Sequence, residues 1–393
     1  MSAFYLVALD IHAQFLEPLN YTVDDFDIVT KDGYILQLYH VRNESRAQGG
    51  PVVYLQHGLL SSCADFCVTG QKSLVAILME SNYDVWMGNN RGSFYSTRHT
   101  NLSVTDRSYW KFSWHEIGIY DIPAFINFIL DYTKQPSLHY IGHSQGSTVF
   151  FVMMSSFPEF NDKVRSMQAL APAVFMSHVK NPLVRSLAKF VNVMTFTWRT
   201  LQLDEVIAGD NLFNRIVKVI CQSNDFSKDI CSNILCALGG CNIETISEPV
   251  VPLVLKLSPA PASVYQVFHF AQEINSGRFC EYDFGPKKNL QRYASIKPPS
   301  YNLDNVKIPV TLYTGVSDLF VNIRDVEKLG SYLAKLEDII EVPDKKFGHM
   351  DFCWGEEARD LVYASILQVI EKHSANQSEK KNISSKAVEY AEA

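Results

Sequence analysis

The sequence lacks a segment that could cross a membrane, because no run of 18 apolar residues occurs in its 393 residues. It also lacks a basic start: the first lysine or arginine is Lys31, and the apolar stretch at 4–9 is short, so no signal peptide is recognisable. We therefore expect either a protein that is not secreted or an atypical or truncated start at 1–19. An excess of positive charge is missing as well. The formal net charge of −7 argues against a nucleic-acid partner.

Metal-ligand spacing is absent too. None of the eight cysteines stands in a C-x-x-C pair with histidines to match it, so the sequence predicts no zinc site. Cys231, Cys236 and Cys241 crowd into a short stretch beside two glycines. One interpretation is a local disulfide among these three, formed in an oxidising compartment, and the other is a set of buried free thiols.

Glycosylation signals are present but weak. Five N-x-S/T sequences occur, against roughly three expected by chance for this number of asparagines. We take Asn20, Asn43 and Asn101 as the candidate N-glycosylation sites. The other two asparagines fall in a polar, lysine-rich tail at 373–393, whose composition is typical of disorder.

What remains is the composition of a folded globular protein, with 47% hydrophobic and 20% charged residues and enough length to bury a large core. Strand patterns alternate with helical patterns over 20–173 and again over 301–372, which predicts a mostly parallel sheet covered by helices on both faces. Residues 174–300 are mainly helical in pattern and unusually apolar. We predict that they are inserted into this single α/β domain, either as a second hydrophobic core or as a cap over an apolar substrate.

One pentapeptide, GHSQG at 142–146, follows an apolar, strand-like run and precedes a helix-like run. A serine on such a strand-to-helix turn is typical of a nucleophile elbow. The turn is expected to hold Ser144 in an unfavourable backbone conformation, with its hydroxyl clear of the sheet. Gly142 and Gly146 would then allow the strand and the helix to pass closely.

A serine nucleophile needs a base within hydrogen-bond reach and an acid to orient that base. In doubly wound sheets the active groups follow the carboxyl ends of strands. Asp318 follows the strand pattern at 309–313, and His349 follows the one at 338–342. Their order, Ser then Asp then His, is that of an α/β-hydrolase triad. Asp351 is a weaker candidate for the acid.

The oxyanion site needs backbone N–H groups directed at the developing negative charge. The amide of Gln145 is one expected donor, because the dipole of the helix that follows supports it. The second donor should come from the loop after the strand at 51–56, where the sequence HGLL places Leu59, with Leu60 as the alternative. We expect His57, in the same loop, to shape it.

Six motifs complete the pattern, in the order TKDGYIL, LQHGLLSS, YDVWMGNNRGSFYSTRH, YIGHSQGST, YTGVSDLF and FGHMDFCWG. Together they resemble the acid lipases of the α/β-hydrolase superfamily, the group that includes gastric lipase and lysosomal acid lipase. The resemblance implies the α/β-hydrolase fold, with a mostly parallel central sheet and a mainly helical cap that carries a mobile lid. It implies Ser144, Asp318 and His349 as the triad, with the Leu59 and Gln145 amides as oxyanion donors.

For function, the resemblance implies a serine esterase that forms an acyl-enzyme and hydrolyses triacylglycerols, cholesteryl esters or both at a lipid–water interface. It implies glycosylation, a lysosomal or secreted location and no cofactor; a monomer is the default oligomeric state. The family has a disulfide near a CSN sequence. Here that sequence starts at Cys231, and Cys241 is nearer the family spacing than Cys236. The alternative functions are an esterase for small soluble esters and a catalytically silent lipid-binding protein.

Overall fold

A nine-stranded sheet forms the centre of the described part of the chain. The computed structural model describes residues 11–45, 49–191, 193–195, 236, 240–241 and 243–375. The strands, β1 to β9 in chain order, are Thr22–Val29, Tyr34–Arg42, Val52–Gln56, Asp84–Gly88, Arg98–His99, Leu138–His143, Val164–Leu170, Val310–Gly315 and Leu336–Val342. They lie side by side in the order β1-β2-β4-β3-β6-β7-β8-β9, and the short β5 pairs with β2.

Along the strand order, the sheet is parallel from β4 through β3, β6, β7 and β8 to β9. The antiparallel pairs are those that β2 forms with β1, β4 and β5. β3 pairs with β4 and β6 in parallel, and the parallel pairing continues through β7, β8 and β9. β1 and β2 form a hairpin, and β2 lies antiparallel to β4. Every residue of β3, β6 and β8 is buried, as expected for apolar strands covered on both faces. The predicted mostly parallel sheet is present.

Helices connect the strands and cover the sheet. The helices α1 to α10 are Leu74–Glu80, Trp114–Glu116, Ile122–Thr133, Gln145–Ser156, Pro182–Lys189, Val250–Leu257, Val264–Ser276, Pro286–Tyr293, Ile323–Tyr332 and Asp351–Trp354. A further helix spans 364–375. The π-helical turn Ile117–Asp121 joins α2 to α3, so the chain is helical without a break from Trp114 to Thr133. None of the described helices is long and apolar enough to cross a membrane.

The apolar pattern at 68–78 predicts a helix over those residues, but in the structure the helix begins only at Leu74. Two 3₁₀ turns, Cys63–Phe66 and Gly70–Lys72, precede it. Gly70 has a φ of 59°, which interrupts a right-handed helix. The helix starts where Ser73 caps it, since the Ser73 side chain accepts a hydrogen bond from the backbone N–H of Ala76 at 3.1 Å.

The predicted pairing of Cys231 with Cys241 is corrected by the structure, in which Cys241 is bonded to Cys236. The backbone carbonyl of Cys236 accepts hydrogen bonds from the N–H groups of both Gly240 and Cys241. This tight turn brings the two α-carbons to 4.5 Å, within the range that a disulfide requires. Cys231 lies outside the described residues.

A buried ion network holds the loop after β4. The Arg91 guanidinium is fully buried and donates to Asp32 at 2.6 Å and to Asp121 at 2.7 Å, and its backbone N–H donates to Asp121 at 3.0 Å. The guanidinium also lies 3.9 Å from the centre of the Tyr34 ring. A charge removed from water needs such partners, so this loop has one preferred conformation.

We expect Asp121→Asn to lower the free energy of unfolding by about 3 kcal/mol, because it removes one partner from a buried charge. Asp27→Asn is the matched control, since Asp27 and Arg98 form an ion pair in which both side chains are about half exposed. That change should cost less than about 1 kcal/mol. Urea unfolding of both variants measures the difference, and equal losses would contradict a structural role for the Arg91 network.

Candidate active site

Ser144 lies on the turn between β6 and α4, with a φ of 54° and a ψ of −119°, a strained conformation for a residue with a side chain. A Cβ atom on Gly142 would lie 2.7 Å from the carbonyl carbon of Gly146, and one on Gly146 would lie 2.1 Å from the carbonyl oxygen of Gln56. Because these neighbours are backbone atoms, only glycine fits at either position. β3, β6 and α4 therefore meet tightly around the serine.

The structure brings the predicted base and acid to the serine from the far end of the chain. His349 Nε2 lies 2.8 Å from Ser144 Oγ, and His349 Nδ1 lies 2.8 Å from Asp318 Oδ2. The other oxygen of Asp318 accepts hydrogen bonds from the backbone N–H groups of Phe320 and Val321, at 2.7 and 2.8 Å. A carboxylate fixed in this way accepts the Nδ1 proton of the imidazole and leaves Nε2 free to accept the serine proton.

Asp351, the weaker candidate for the acid, bonds to other groups. It accepts a hydrogen bond from the backbone N–H of Gly348 at 2.7 Å and one from the Thr245 hydroxyl at 3.0 Å. Both bonds hold the loop that carries His349. Asp351 therefore supports the loop of the predicted base, and Asp318 contacts the ring of that residue.

Two further histidines lie close to the site and are held neutral by burial. The backbone N–H of Asn90 donates to His57 Nε2 at 3.0 Å, so His57 Nδ1 carries the proton and donates to the Gly58 carbonyl at 2.8 Å. His143 Nε2 donates to the carbonyl of His349 at 2.9 Å. Burial lowers the pKa of His57 to about 4 and that of His143 to about 3. Both residues shape the loops around Ser144, as expected for His57.

The loop after β3 passes directly beside Ser144. A Cβ atom on Gly58 would lie 3.0 Å from Ser144 Cβ, so Leu59 enters the site next to this contact. Gln145 follows Ser144, and its N–H stands at the amino terminus of α4. Across the described ranges, neither the Leu59 amide nor the Gln145 amide donates to a protein acceptor. Both predicted oxyanion donors are therefore available to an anionic oxygen near Ser144.

Asp65 supports the site and was missed by sequence reasoning. It is buried, and its two oxygens accept hydrogen bonds from the Ser61 hydroxyl and from Trp354 Nε1, the latter at 3.0 Å. Ser61 belongs to the loop that carries Leu59, and Trp354 lies five residues after His349. Asp65 thus connects the oxyanion loop to the loop of the base. No local pattern signals this contact, because 289 residues separate Asp65 from Trp354.

Two sequence-family profiles match the chain: a partial alpha/beta-hydrolase lipase region at residues 12–70 and the alpha/beta hydrolase fold at residues 51–197. Lipase 1 of Drosophila melanogaster is 39% identical over 363 residues, which cover 92% of this chain and 80% of that protein. Human lipase member K is 33% identical, covering 93% of this chain and 91% of its own length. Human gastric triacylglycerol lipase is also 33% identical, with coverages of 91% and 90%.

Solved structures share the fold at low sequence identity. A candidate lipase from Sulfolobus solfataricus aligns with a TM-score of 0.58 at 14% identity, covering 90% of this chain and 95% of its own. A candidate lipase from Acinetobacter baumannii aligns with a TM-score of 0.53, also at 14% identity, with coverages of 96% and 98%. Together with the strand order, these matches confirm the α/β-hydrolase fold predicted from the sequence.

We expect Gly146→Ala to abolish labelling of the protein by a fluorophosphonate, because the new methyl group forces α4 away from β3 and displaces Ser144. Gly70→Ala is the control. Gly70, unlike Gly146, has a positive φ, but a Cβ atom there meets no atom within 4 Å. This control should lose a little stability and keep normal labelling. Normal labelling of Gly146→Ala would contradict the packing argument.

Ionisation of Asp65 should make the stability of the folded protein depend on pH. Burial raises the pKa of its carboxyl to about 6, and the hydrogen bonds from Ser61 and Trp354 offset only part of that effect. The folded protein therefore binds a proton that the unfolded chain releases near pH 4, and this contribution to stability is lost as the pH rises from about 4 to about 6. Asp65→Asn has no carboxyl to ionise, so it should gain stability relative to the wild type over this interval.

Thermal unfolding of the wild type and Asp65→Asn at several pH values between 4 and 7 measures this effect. Asp304→Asn, at an exposed position, is the control, and its curve should run parallel to that of the wild type. A parallel curve for Asp65→Asn as well would show that Asp65 does not titrate in this range.

Proposed function

The chain belongs to the α/β-hydrolase lipase family and is a carboxylic ester hydrolase, and we propose that it hydrolyses neutral lipid esters with Ser144 as its nucleophile. The observation that carries this assignment is the continuous chain of hydrogen bonds from Asp318 through His349 to Ser144, each 2.8 Å long. All three groups lie at the carboxyl ends of strands in the same sheet, where ligands bind in this class of fold.

The first half of the reaction forms an acyl-enzyme. His349 Nε2 takes the Ser144 proton as Oγ bonds to the ester carbonyl carbon, and the displaced electron pair moves to the carbonyl oxygen. The amides of Leu59 and Gln145 stabilise that negative charge, while Asp318 stabilises the imidazolium. When the carbonyl re-forms, the bond to the alcohol oxygen breaks, and the leaving alcohol takes the proton from His349.

The second half returns the enzyme to its starting state. His349 removes a proton from water as the water oxygen bonds to the acyl carbon, and the same two amides stabilise the second oxyanion. Collapse of this intermediate expels Ser144 Oγ, which recovers the proton from His349, and releases the fatty acid. The chain's own groups handle every proton and charge, so this scheme calls for no cofactor.

The proposed substrate is a neutral lipid at a lipid–water interface: a triacylglycerol, a cholesteryl ester or both. The relatives named lipase and gastric triacylglycerol lipase support this class. The structure adds an apolar surface on and just beyond α5, where Leu183, Leu187 and Phe190 are 51%, 47% and 61% exposed. Large apolar side chains that remain exposed together on one helix favour contact with an apolar phase.

A catalytically silent lipid-binding protein is a weaker alternative. Such a protein has no need for a base held 2.8 Å from a serine, nor for a buried acid behind that base. An esterase for small soluble esters remains the alternative within enzymes. The exposed apolar side chains of α5 favour a lipid over a small ester as the substrate.

We also propose the domain organisation, location, oligomeric state and glycosylation of the enzyme. Residues 174–300 act as a cap over the α/β core formed by 20–173 and 301–372. The protein is lysosomal or secreted, acts as a monomer, and carries glycans at Asn20, Asn43 and Asn101. The exposure of Asn20 and Asn101 supports a glycan at these two positions, and Asn43 is half-buried.

We expect Ser144→Ala to lower the rate of hydrolysis of emulsified triolein by about four orders of magnitude or more, because no other group supplies the nucleophile. Its melting temperature should stay within a few degrees of that of the wild type. Ser331→Ala, at an exposed helical serine, is the control and should keep full activity. Substantial hydrolysis by Ser144→Ala would rule out the proposed mechanism.

The choice between lipid and small-ester hydrolysis is testable with one series of substrates. We expect the wild type to hydrolyse emulsified long-chain triacylglycerol faster than dissolved p-nitrophenyl butyrate, and the rate on the long-chain ester to rise once an emulsion forms. Ser144→Ala provides the background for each substrate. A wild-type enzyme that prefers the dissolved ester, with no gain at the interface, would instead be a soluble esterase.

A further inference from the structure

Helix α7 reaches the nucleophile elbow through a pair of buried glutamines. The side-chain amide of Gln145 lies 2.7 Å from that of Gln266, Nε2 to Oε1. The two residues are 1% and 3% exposed, so water does not compete for this hydrogen bond. They are separated by 121 residues, and Gln266 belongs to the segment 174–300, proposed above as the cap. The contact therefore joins the cap to the residue that follows the nucleophile.

The same stretch of the cap also holds the other side of the oxyanion site. The backbone N–H of Ala260 donates to the carbonyl of Leu60 at 2.7 Å. Leu60 directly follows Leu59 and has a φ of 59°, a conformation that is unfavourable for leucine. A hydrogen bond to its carbonyl helps to retain this conformation. Between them, Ala260 and Gln266 thus hold both chain segments that supply the oxyanion amides.

The cap stretch is itself anchored to the core. The Ser263 hydroxyl donates to the carbonyl of Trp110 at 2.6 Å and also caps α7, by accepting from the N–H of Tyr265 at 3.2 Å. The ring of His269, one turn further along α7, stacks on Trp114 with the ring centres 3.5 Å apart. Gln266 lies between these two contacts, so its side chain meets Gln145 from a fixed support.

We propose that Gln266 is a positioning residue for the reaction: it holds the Gln145 side chain and thereby directs the Gln145 amide at the oxyanion. This inference rests on the proposed function, because it assumes that the Gln145 N–H binds the developing charge. The Gln145 side chain and amide share one α-carbon at the first position of α4, so a side chain released from Gln266 frees that residue to turn. Gln266 does not touch the reacting atoms and acts only through Gln145.

Removing one oxyanion donor lowers kcat roughly 100-fold or more. Displacing the donor without removing it should lower kcat by a smaller factor. We therefore expect Gln266→Ala to lower kcat about tenfold on p-nitrophenyl butyrate. The KM should stay within about twofold of the wild-type value, because the oxyanion contact strengthens only in the transition state. A small dissolved ester is the appropriate substrate, since its hydrolysis does not depend on adsorption to a lipid surface.

Gln272→Ala is the matched control. Gln272 lies on the same helix and exchanges two hydrogen bonds with the backbone of Asp283, each 2.9 Å long, and neither bond involves the elbow. Loss of these bonds should lower the melting temperature and leave kcat unchanged. A fall in kcat in Gln272→Ala equal to that in Gln266→Ala would show that general loosening of the cap explains the effect, and would overturn the proposal.

A double-mutant cycle separates a positioning role from an independent one. Gln145→Ala keeps the backbone N–H but loses the side chain that Gln266 holds. If Gln266 acts through that side chain, the double variant should have the kcat of Gln145→Ala, within about twofold. Independent effects that multiply in the double variant would overturn the proposal.

Two further variants keep the test decisive if Gln266→Ala folds poorly. Burial favours the uncharged form of a carboxyl at this position, so Gln266→Glu keeps a neutral acceptor oxygen for Gln145 and should retain kcat within about threefold. Gln266→Leu fills the same space without an acceptor and should show the tenfold loss. Equal kcat values for these two variants would also overturn the proposal. Ser144→Ala is measured alongside: an active Ser144→Ala contradicts the proposed function itself, whereas a normal kcat in Gln266→Ala beside an inactive Ser144→Ala contradicts only the role of Gln266.

Discussion

The tight meeting of β3, β6 and α4 around Ser144 is the constraint on which the rest of the site depends. The close approach of backbone to backbone, with 2.1 Å between a Cβ on Gly146 and the Gln56 carbonyl oxygen, excludes any side chain there. The serine is consequently held at a φ of 54°, and its hydroxyl stands at the carboxyl edge of the sheet. The buried strand β6 before Ser144 and the buried helix α4 after it hold the residue in this strained conformation. A flexible loop could not maintain it.

Around this fixed point, groups from distant parts of the chain are held by hydrogen bonds between loops. Asp318 lies on the loop after β8, His349 lies on the loop after β9, and the Leu59 amide lies on the loop after β3. Asp65 connects that loop to the loop that carries His349, and the Gln145–Gln266 pair connects the elbow to α7. The sheet therefore sets where the chemistry occurs, and these polar contacts set how accurately its parts are aligned.

The sequence predicts much of this structure because its signals are local. Apolar strand runs, the GHSQG turn and the positions of Asp318 and His349 after strands are sufficient to indicate a parallel sheet with a serine nucleophile and its base. The parts that were missed depend on contacts across hundreds of residues, as between Asp65 and Trp354, or on how the chain turns locally. Cys236 pairs with Cys241 because a backbone turn brings them together, whereas the family resemblance implied Cys231 as the partner of Cys241. The start of α1 was misplaced for a similar reason, since a glycine at positive φ interrupts an otherwise apolar helical pattern.

We propose Ser144 as the residue that becomes acylated, and locating the site of covalent modification tests this role without intermediate assumptions. The folded protein would be treated with a fluorophosphonate, digested and analysed by mass spectrometry. We expect a single stoichiometric adduct on the peptide that contains GHSQG, located on Ser144, and no adduct when the protein is unfolded first. A folded protein that remains unmodified, or that carries its adduct on another residue, would contradict this role.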